Sequence, residues 1–131
     1  MATSGLRQRL PPKRILVAED EPSVANTLRM VLAVDGHSVN IAEDGKQALA
    51  MFEGGTYDLV ITDFKMANMD GLELAEAIKK RSPSTPIILV TAYAEAIQGT
   101  GGNVTNVDIV LSKPWSVTQL QDALQKVFPS A

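Results

Sequence analysis

The sequence contains no cysteine, so neither a disulfide framework nor a thiolate metal site is open to it. Its single histidine, His37, has no second imidazole to share a zinc ion with and reads as a turn residue beside Gly36. No apolar run approaches the roughly 20 residues that a membrane-crossing helix needs, and the N-terminus lacks an apolar segment of secretory type. A cytoplasmic location is therefore expected, with no membrane partner. Positive charge is also scarce: 12 Lys and Arg against 15 Asp and Glu leave a net charge of −3. Those basic residues are scattered, which argues against a nucleic-acid surface, because phosphate neutralisation needs a basic face. There is no internal repeat, and "GTGG" at Gly99 to Gly102 is not followed by GK[ST], so it reads as a loop rather than a phosphate cradle.

What remains has the composition of a single globular domain: 131 residues, 45% hydrophobic and 21% charged. Residues 1–12, "MATSGLRQRLPP", read as a flexible tail or linker, and residues 13–131 as the domain. Short apolar runs ("RILVA", "SVNIA", "DLVIT", "PIILVTA", "VDIVLS") alternate with segments of helical period. That rhythm predicts five strands and up to five helices. Apolar residues run through the strands without a break, as parallel strands covered on both faces require, so the expected class is α/β with an open, doubly wound sheet. Pro22 suits a first helical turn, Asp44 and Ser116 can cap helix starts, and Gly36 and Gly54 to Gly55 can end helices.

One stretch poses the functional question. In "DLVITDFKMANMDG", Asp58 to Gly71, an apolar strand ends on a carboxylate, Asp63, where a parallel sheet delivers side chains to a cleft. The same rim receives Glu19-Asp20-Glu21 after the first strand, Thr91-Ala92 after the fourth and Ser112-Lys113-Pro114 after the fifth. Carboxylates gathered in one place repel, so they imply a cation. Hard oxygen donors without His or Cys favour Mg²⁺. Glu19, Asp20 and Asp63 would hold the ion, while Lys113 and Thr91 face an anion on its far side. Such an arrangement suits a phosphoryl group, with Asp63 as a nucleophile able to form an aspartyl phosphate. Glu21 reads as the solvated start of a helix, and Met66 and Met69 as loop residues packing on the sheet.

From Lys13 to Phe128 the chain resembles the receiver domain of two-component response regulators. "ILVAEDEP" is similar to its acidic opening, "DLVITDFKMANMDG" to its phosphoacceptor segment, "PIILVTA" to its Thr strand and "LSKPW" to its Lys-Pro loop. The four occur in order, with 43 residues from Asp20 to Asp63, 28 on to Thr91 and 22 on to Lys113. The resemblance implies a flavodoxin-like sheet of strand order 2-1-3-4-5. It implies that Asp63 accepts phosphate from the phosphohistidine of a sensor histidine kinase or a histidine phosphotransfer protein. Asp20 and Asp63 would bind Mg²⁺ directly, Glu19 through water, and the carbonyl of Lys65 would complete the shell. Thr91 and Lys113 would contact the phosphoryl oxygens, with backbone N–H groups near Phe64, Lys65 and Ala92. A cis Lys113-Pro114 bond is implied as well. Further partners would be a second copy of the chain in a homodimer or a downstream output protein.

Three positions depart from the family pattern: Ala67 where proline is usual, Asn106 where glycine is frequent, and Val110 in place of an aromatic residue. Ala67 should loosen the loop after Asp63, and left-handed backbone tolerates Asn at 106. The fourth helix is expected to be short or irregular, because Gly99, Gly101 and Gly102 each cost roughly 1 kcal/mol in a helix interior relative to Ala. Residues 94 to 106 are expected to be mobile or irregular. Rival readings fail on particular residues. A phosphatase with a nucleophilic Asp needs a second Asp where Lys65 stands, and "EDEP" would repel the phosphate of a flavin. A degenerate receiver serving only as a phosphorylation-independent protein-binding module is the alternative, but both Asp63 and Lys113 are present. The expected function is a signalling switch with self-directed phosphotransfer and autodephosphorylation, rather than an enzyme acting on an external substrate.

Overall fold

The computed structural model describes residues 10–99 and 106–129. In chain order these form β1 (Arg14–Ala18), α1 (Pro22–Val34), β2 (Ser38–Ala42), α2 (Gly45–Gly54) and β3 (Leu59–Asp63). They continue as α3 (Gly71–Arg81), β4 (Ile87–Thr91), α4 (Ala94–Gly99), β5 (Ile109–Ser112) and α5 (Val117–Val127). The five strands make one sheet in the order β2-β1-β3-β4-β5, and every neighbouring pair is parallel. Class, topology and the short fourth helix agree with the sequence expectation.

The period of two along each strand sorts apolar side chains onto two faces. Ile15, Val17, Leu59, Ile61, Ile88 and Val90 meet Leu28 and Leu32 of α1 and Leu120 and Leu124 of α5. Leu16, Ala18, Val60 and Ile87 meet Ala48 of α2 and Leu74, Ala75 and Ile78 of α3. The central strands β3 and β4 are therefore buried on both sides, and each large side chain removed from water contributes about 1.5–3 kcal/mol. At the sheet edge, β2 alternates instead between exposed and half-buried residues before ending on buried Ala42. Helix starts follow their caps. Asp44 accepts from the Gln47 N–H, Ser116 and Gln119 form a capping box, and so do Asp70 and Glu73. Pro22 occupies the first turn of α1, and Gly36, at φ 92°, carries the chain out of it.

Several expectations need adjustment. His37 is only 7% exposed, and its Nδ1 accepts the Lys13 N–H at 3.0 Å. Burial lowers its pKa below the ordinary value of 6.5, which suits an imidazole nitrogen acting as an acceptor. A left-handed asparagine stands at Asn68, at φ 71°, a position the sequence reading did not single out. Within the segment read as a tail, Leu10 packs against the first apolar cluster, and at the start of the domain the Lys13 ammonium lies 4.4 Å from the centre of the Phe128 ring. Residues 1–9 of that tail and residues 100–105 of the Gly-rich interval lie outside the described residues. The Lys113-Pro114 bond is cis, as expected.

Candidate functional site

Parallel strands end together, so their C-terminal residues share a rim. Register pairs Ala18 with Thr62, Asp63 with Val90 and Thr91 with Ser112. Just beyond β1, the Glu19 N–H donates to the carbonyl of Ala42 at 3.0 Å, which prolongs the ladder by one rung and turns Asp20 outward. Carboxylate oxygens of Glu19, Asp20 and Asp63 all come within 4.8 Å of one another. Lys113, at the end of β5, reaches in with Nζ 3.3 Å from Asp63 Oδ2 and 3.6 Å from Glu19 Oε1. Its N–H donates to the Thr91 carbonyl at 2.9 Å, which ties the β4 and β5 exits together.

The three carboxylates occupy different environments. Glu19 is 4% exposed, Asp63 is half-buried and Asp20 is exposed. Burial, with the Asp63 charge and a hydrogen bond to Asp20 adding to it, pushes the Glu19 carboxyl up to about 7, although the Glu21 N–H and Lys113 favour its ionised form. Oδ1 of Asp63 accepts the Phe64 N–H at 2.8 Å, leaving Oδ2 toward Lys113. Phe64 therefore already serves Asp63 itself. Thr91 is buried, and its Oγ1 accepts the Tyr93 N–H at 2.9 Å, which fixes the hydroxyl oxygen and leaves its hydrogen able to donate.

One glycine lets this rim close. A Cβ on Gly71 would collide with the Asp63 carbonyl oxygen and lie 2.8 Å from Leu89 Cδ1, so only glycine lets α3 begin so near the end of β3. The Gly71 N–H, donating to the Phe64 carbonyl at 2.8 Å, holds that approach. Between them, residues 64–70 form an open pocket of about 420 Å³ lined by Asp20, Phe64, Lys65, Met66 and Asp70. Lys65 extends across the rim, with its ammonium 4.9 Å from the centre of the Tyr93 ring.

Glu19, Asp20, Asp63, Thr91 and Lys113, singled out from the sequence, thus meet on this rim. What the sequence reading passed over is the support beneath it. Asn68 Nδ2 donates to Asp44 Oδ2 at 2.9 Å, and a Cβ on Gly45 would meet the Met69 backbone. The available signal was an Asn-containing turn, "ANMDG", in which one residue had to be left-handed. Chemically, a cluster of three oxygen donors with a single lysine fits a hard divalent cation, and no described Cys or His competes for it.

Fold and rim together define a signalling domain of the two-component type. Residues 15–125 match the family model of the response regulator receiver domain, and the chain belongs to that family. It is 33% identical over 112 residues to the transcriptional regulatory protein TcrA of Mycobacterium tuberculosis, covering 86% of this chain and 44% of TcrA. It is also 33% identical over 109 residues to the response regulator MprA of Mycolicibacterium vanbaalenii, covering 83% of this chain and 47% of MprA. The chain therefore spans less than half the length of these curated relatives. Among solved structures, the response regulator TrrA of Thermotoga maritima in complex with Mg²⁺-BeF is 36% identical with a TM-score of 0.81, over 88% of this chain and 98% of that one. A receiver domain of a Pseudomonas aeruginosa sensor histidine kinase, with a magnesium ion coordinated in its active-site cleft, is 29% identical with a TM-score of 0.80, over 92% of this chain and 100% of that one. No described helix is long and apolar enough to cross a membrane.

Proposed function

We propose that this receiver domain accepts a phosphoryl group on Asp63 from the phosphohistidine of a sensor histidine kinase or histidine phosphotransfer protein. The observation that carries the reading is the meeting of Glu19, Asp20 and Asp63 within 4.8 Å with Lys113 3.3 Å from Asp63. Glu19, Asp20, Asp63 and the carbonyl of Lys65 would hold Mg²⁺. When bound, the ion offsets the charge that builds up on the transferring phosphoryl oxygens.

The chain's own groups divide the remaining work. An oxygen of Asp63 forms the new bond to phosphorus as the bond to the histidine nitrogen breaks. The Phe64 N–H keeps the carboxylate turned into the cleft. Lys113, which now faces Asp63 and Glu19, moves its charge onto a phosphoryl oxygen. The Thr91 hydroxyl, steadied by the Tyr93 N–H, donates to another. Hydrolysis reverses the state: water adds to phosphorus, inorganic phosphate leaves, and the Asp63 carboxylate is restored. Lys65 and Tyr93, paired at 4.9 Å, would hinder the approach of that water. The chemistry is self-directed, so the domain is a switch rather than a catalyst for an external substrate, with a downstream output protein or a second copy as the reader of its state. Nucleic acid is not among the direct partners, given the net charge of −3.

Intact mass after incubation with Mg²⁺ and acetyl phosphate tests this. The expected result is a gain of one phosphoryl group that disappears in Asp63→Asn and when Mg²⁺ is chelated. An unchanged mass, or a gain that survives Asp63→Asn, overturns it.

A further inference from the structure

The loop that carries Lys65 lacks the restraint its sequence would be expected to need. Ala67 leaves φ free where a proline would have fixed it near −65°, and residues 65, 67 and 68 are exposed. Yet the loop's middle is held from outside. Asn68 adopts φ 71°, a conformation that a short amide side chain tolerates better than most, and this turns its side chain toward α2. There Nδ2 donates to Asp44 Oδ2 at 2.9 Å, across 24 positions of sequence. The other oxygen of Asp44 accepts the Gln47 N–H at 2.7 Å, so the acceptor is itself locked to the first turn of α2. Both hydrogen bonds help keep the Asp44 carboxyl below its ordinary value of 3.8, and hence ionised.

A second contact reinforces the first. Gly45, the first residue of α2, lies so near Met69 that an added Cβ would collide with the Met69 carbonyl oxygen and sit 2.8 Å from its Cβ. Met69 packs in turn against the apolar cluster of the α2/α3 face. A short turn closed by the Met69 N–H to the Ala67 carbonyl, 2.7 Å, links the two anchors. The loop is thus pinned at residues 68 and 69, three and four positions after Lys65.

We propose that Asn68, through Asp44 and the Gly45 approach, is a positioning residue for the metal-binding carbonyl of Lys65, replacing the backbone restraint that Ala67 does not supply. The inference rests on the reading of the rim as a Mg²⁺ site. It assigns to the start of α2, which lies outside the acidic cluster, a share in metal affinity. Asp44 does this through one carboxylate oxygen while the other caps its own helix, so the two tasks can be separated by substitution.

The test uses the full chain and five proteins: wild type, Asn68→Gly, Asp44→Ser, Ala67→Pro and the Asn68→Gly/Ala67→Pro double variant. Glycine keeps the left-handed backbone without strain but removes the tie. Serine keeps a cap for the Gln47 N–H but is too short to meet Asn68. Mg²⁺ affinity is measured by calorimetry, and amide exchange of residues 65–69 and thermal melting are followed without Mg²⁺. Asn68→Gly and Asp44→Ser should each weaken Mg²⁺ binding severalfold, toward the roughly tenfold loss typical when a support of a metal ligand is removed. Exchange should speed up across 65–69 while the melting temperature holds, and Ala67→Pro should restore affinity in the double variant. Affinities within about twofold of wild type for both tie variants, or a loss that follows melting temperature and resists the proline, overturn the positioning role. Failure of the wild type itself to bind Mg²⁺ overturns the rim reading, and this inference with it.

Discussion

The two edges of the sheet use carboxylates in opposite ways. At the amino edge, each strand-leading aspartate clamps a neighbouring strand. Asp58, before β3, accepts the N–H of Arg14, the first residue of β1, at 2.8 Å, and returns its own N–H to the Arg14 carbonyl. Asp108, before β5, does the same for Ile87, the first residue of β4, at 2.7 Å. It also pairs with the Lys79 ammonium at 2.9 Å. Those charges are answered locally. At the carboxyl edge Glu19, Asp20 and Asp63 crowd within 4.8 Å, and Lys113 is the lysine that faces Glu19 and Asp63. A strand-end carboxylate therefore does not mark a site by itself. An unbalanced group of them does, because the fold must keep an arrangement that costs stability until a cation arrives.

If that contrast holds, neutralising a carboxylate should have opposite signs at the two edges. Asp108→Ala strips the fully buried Ile87 of its acceptor and should cost about 1–3 kcal/mol, read as a lower denaturant midpoint. Glu19→Gln should instead stabilise the Mg²⁺-free protein at pH 8. The folded-state pKa of Glu19 is raised from 4.5 to about 7, so the stability it lends is full below its ordinary value and is lost as pH rises through 7. Melting temperatures of the Mg²⁺-free wild type should fall as pH rises from 4.5 to about 7 and level off above that, and those of Glu19→Gln should fall less. A parallel fall in both proteins would place the penalty elsewhere.

A smaller effect separates the cleft's mouth from its floor. Lys65→Ala or Tyr93→Ala removes one side of a pair held at a ring-to-ammonium distance of 4.9 Å. Each should change the rate of phosphoryl loss from Asp63 while leaving Mg²⁺ affinity nearly unaltered, since neither side chain belongs to the acidic cluster. Equal dephosphorylation rates in all three proteins would make these side chains bystanders. Smaller still is the change expected on phosphorylation in α4, a six-residue helix. Val110 offers no ring to swing inward, so the segment from residue 94 should respond by ordering, seen as slower amide exchange. Identical exchange in both forms would direct the signal to another surface.

The carboxyl rim was legible in the sequence because each of its residues ends an apolar run, and in a parallel sheet such ends share one side. Helix starts at Asp44 and Ser116 were legible for a similarly local reason, a capping side chain three residues before the amide it serves. The contacts that escaped are those fixed by register and packing rather than by neighbours in sequence. Asp58 reads as the polar lead of a strand, and nothing local says that it reaches Arg14, 44 positions away. His37 reads as a turn residue until Lys13 is seen donating to it from 24 positions upstream. The tie from Asn68 to Asp44 belongs to the same kind, and so does the need for glycine at 71, which follows only once α3 is docked against Asp63.

Whether the carboxyl edge is built around a cation is tested most directly by titrating Mg²⁺ into the unphosphorylated chain at pH 8 by calorimetry, beside Asp20→Asn and Asp58→Asn. The expected result is one ion per chain in the wild type, affinity weakened by more than about tenfold in Asp20→Asn, and binding essentially unchanged in Asp58→Asn. Absence of binding in the wild type, or equal affinity in Asp20→Asn, would contradict the assignment of Glu19, Asp20 and Asp63 as a metal site.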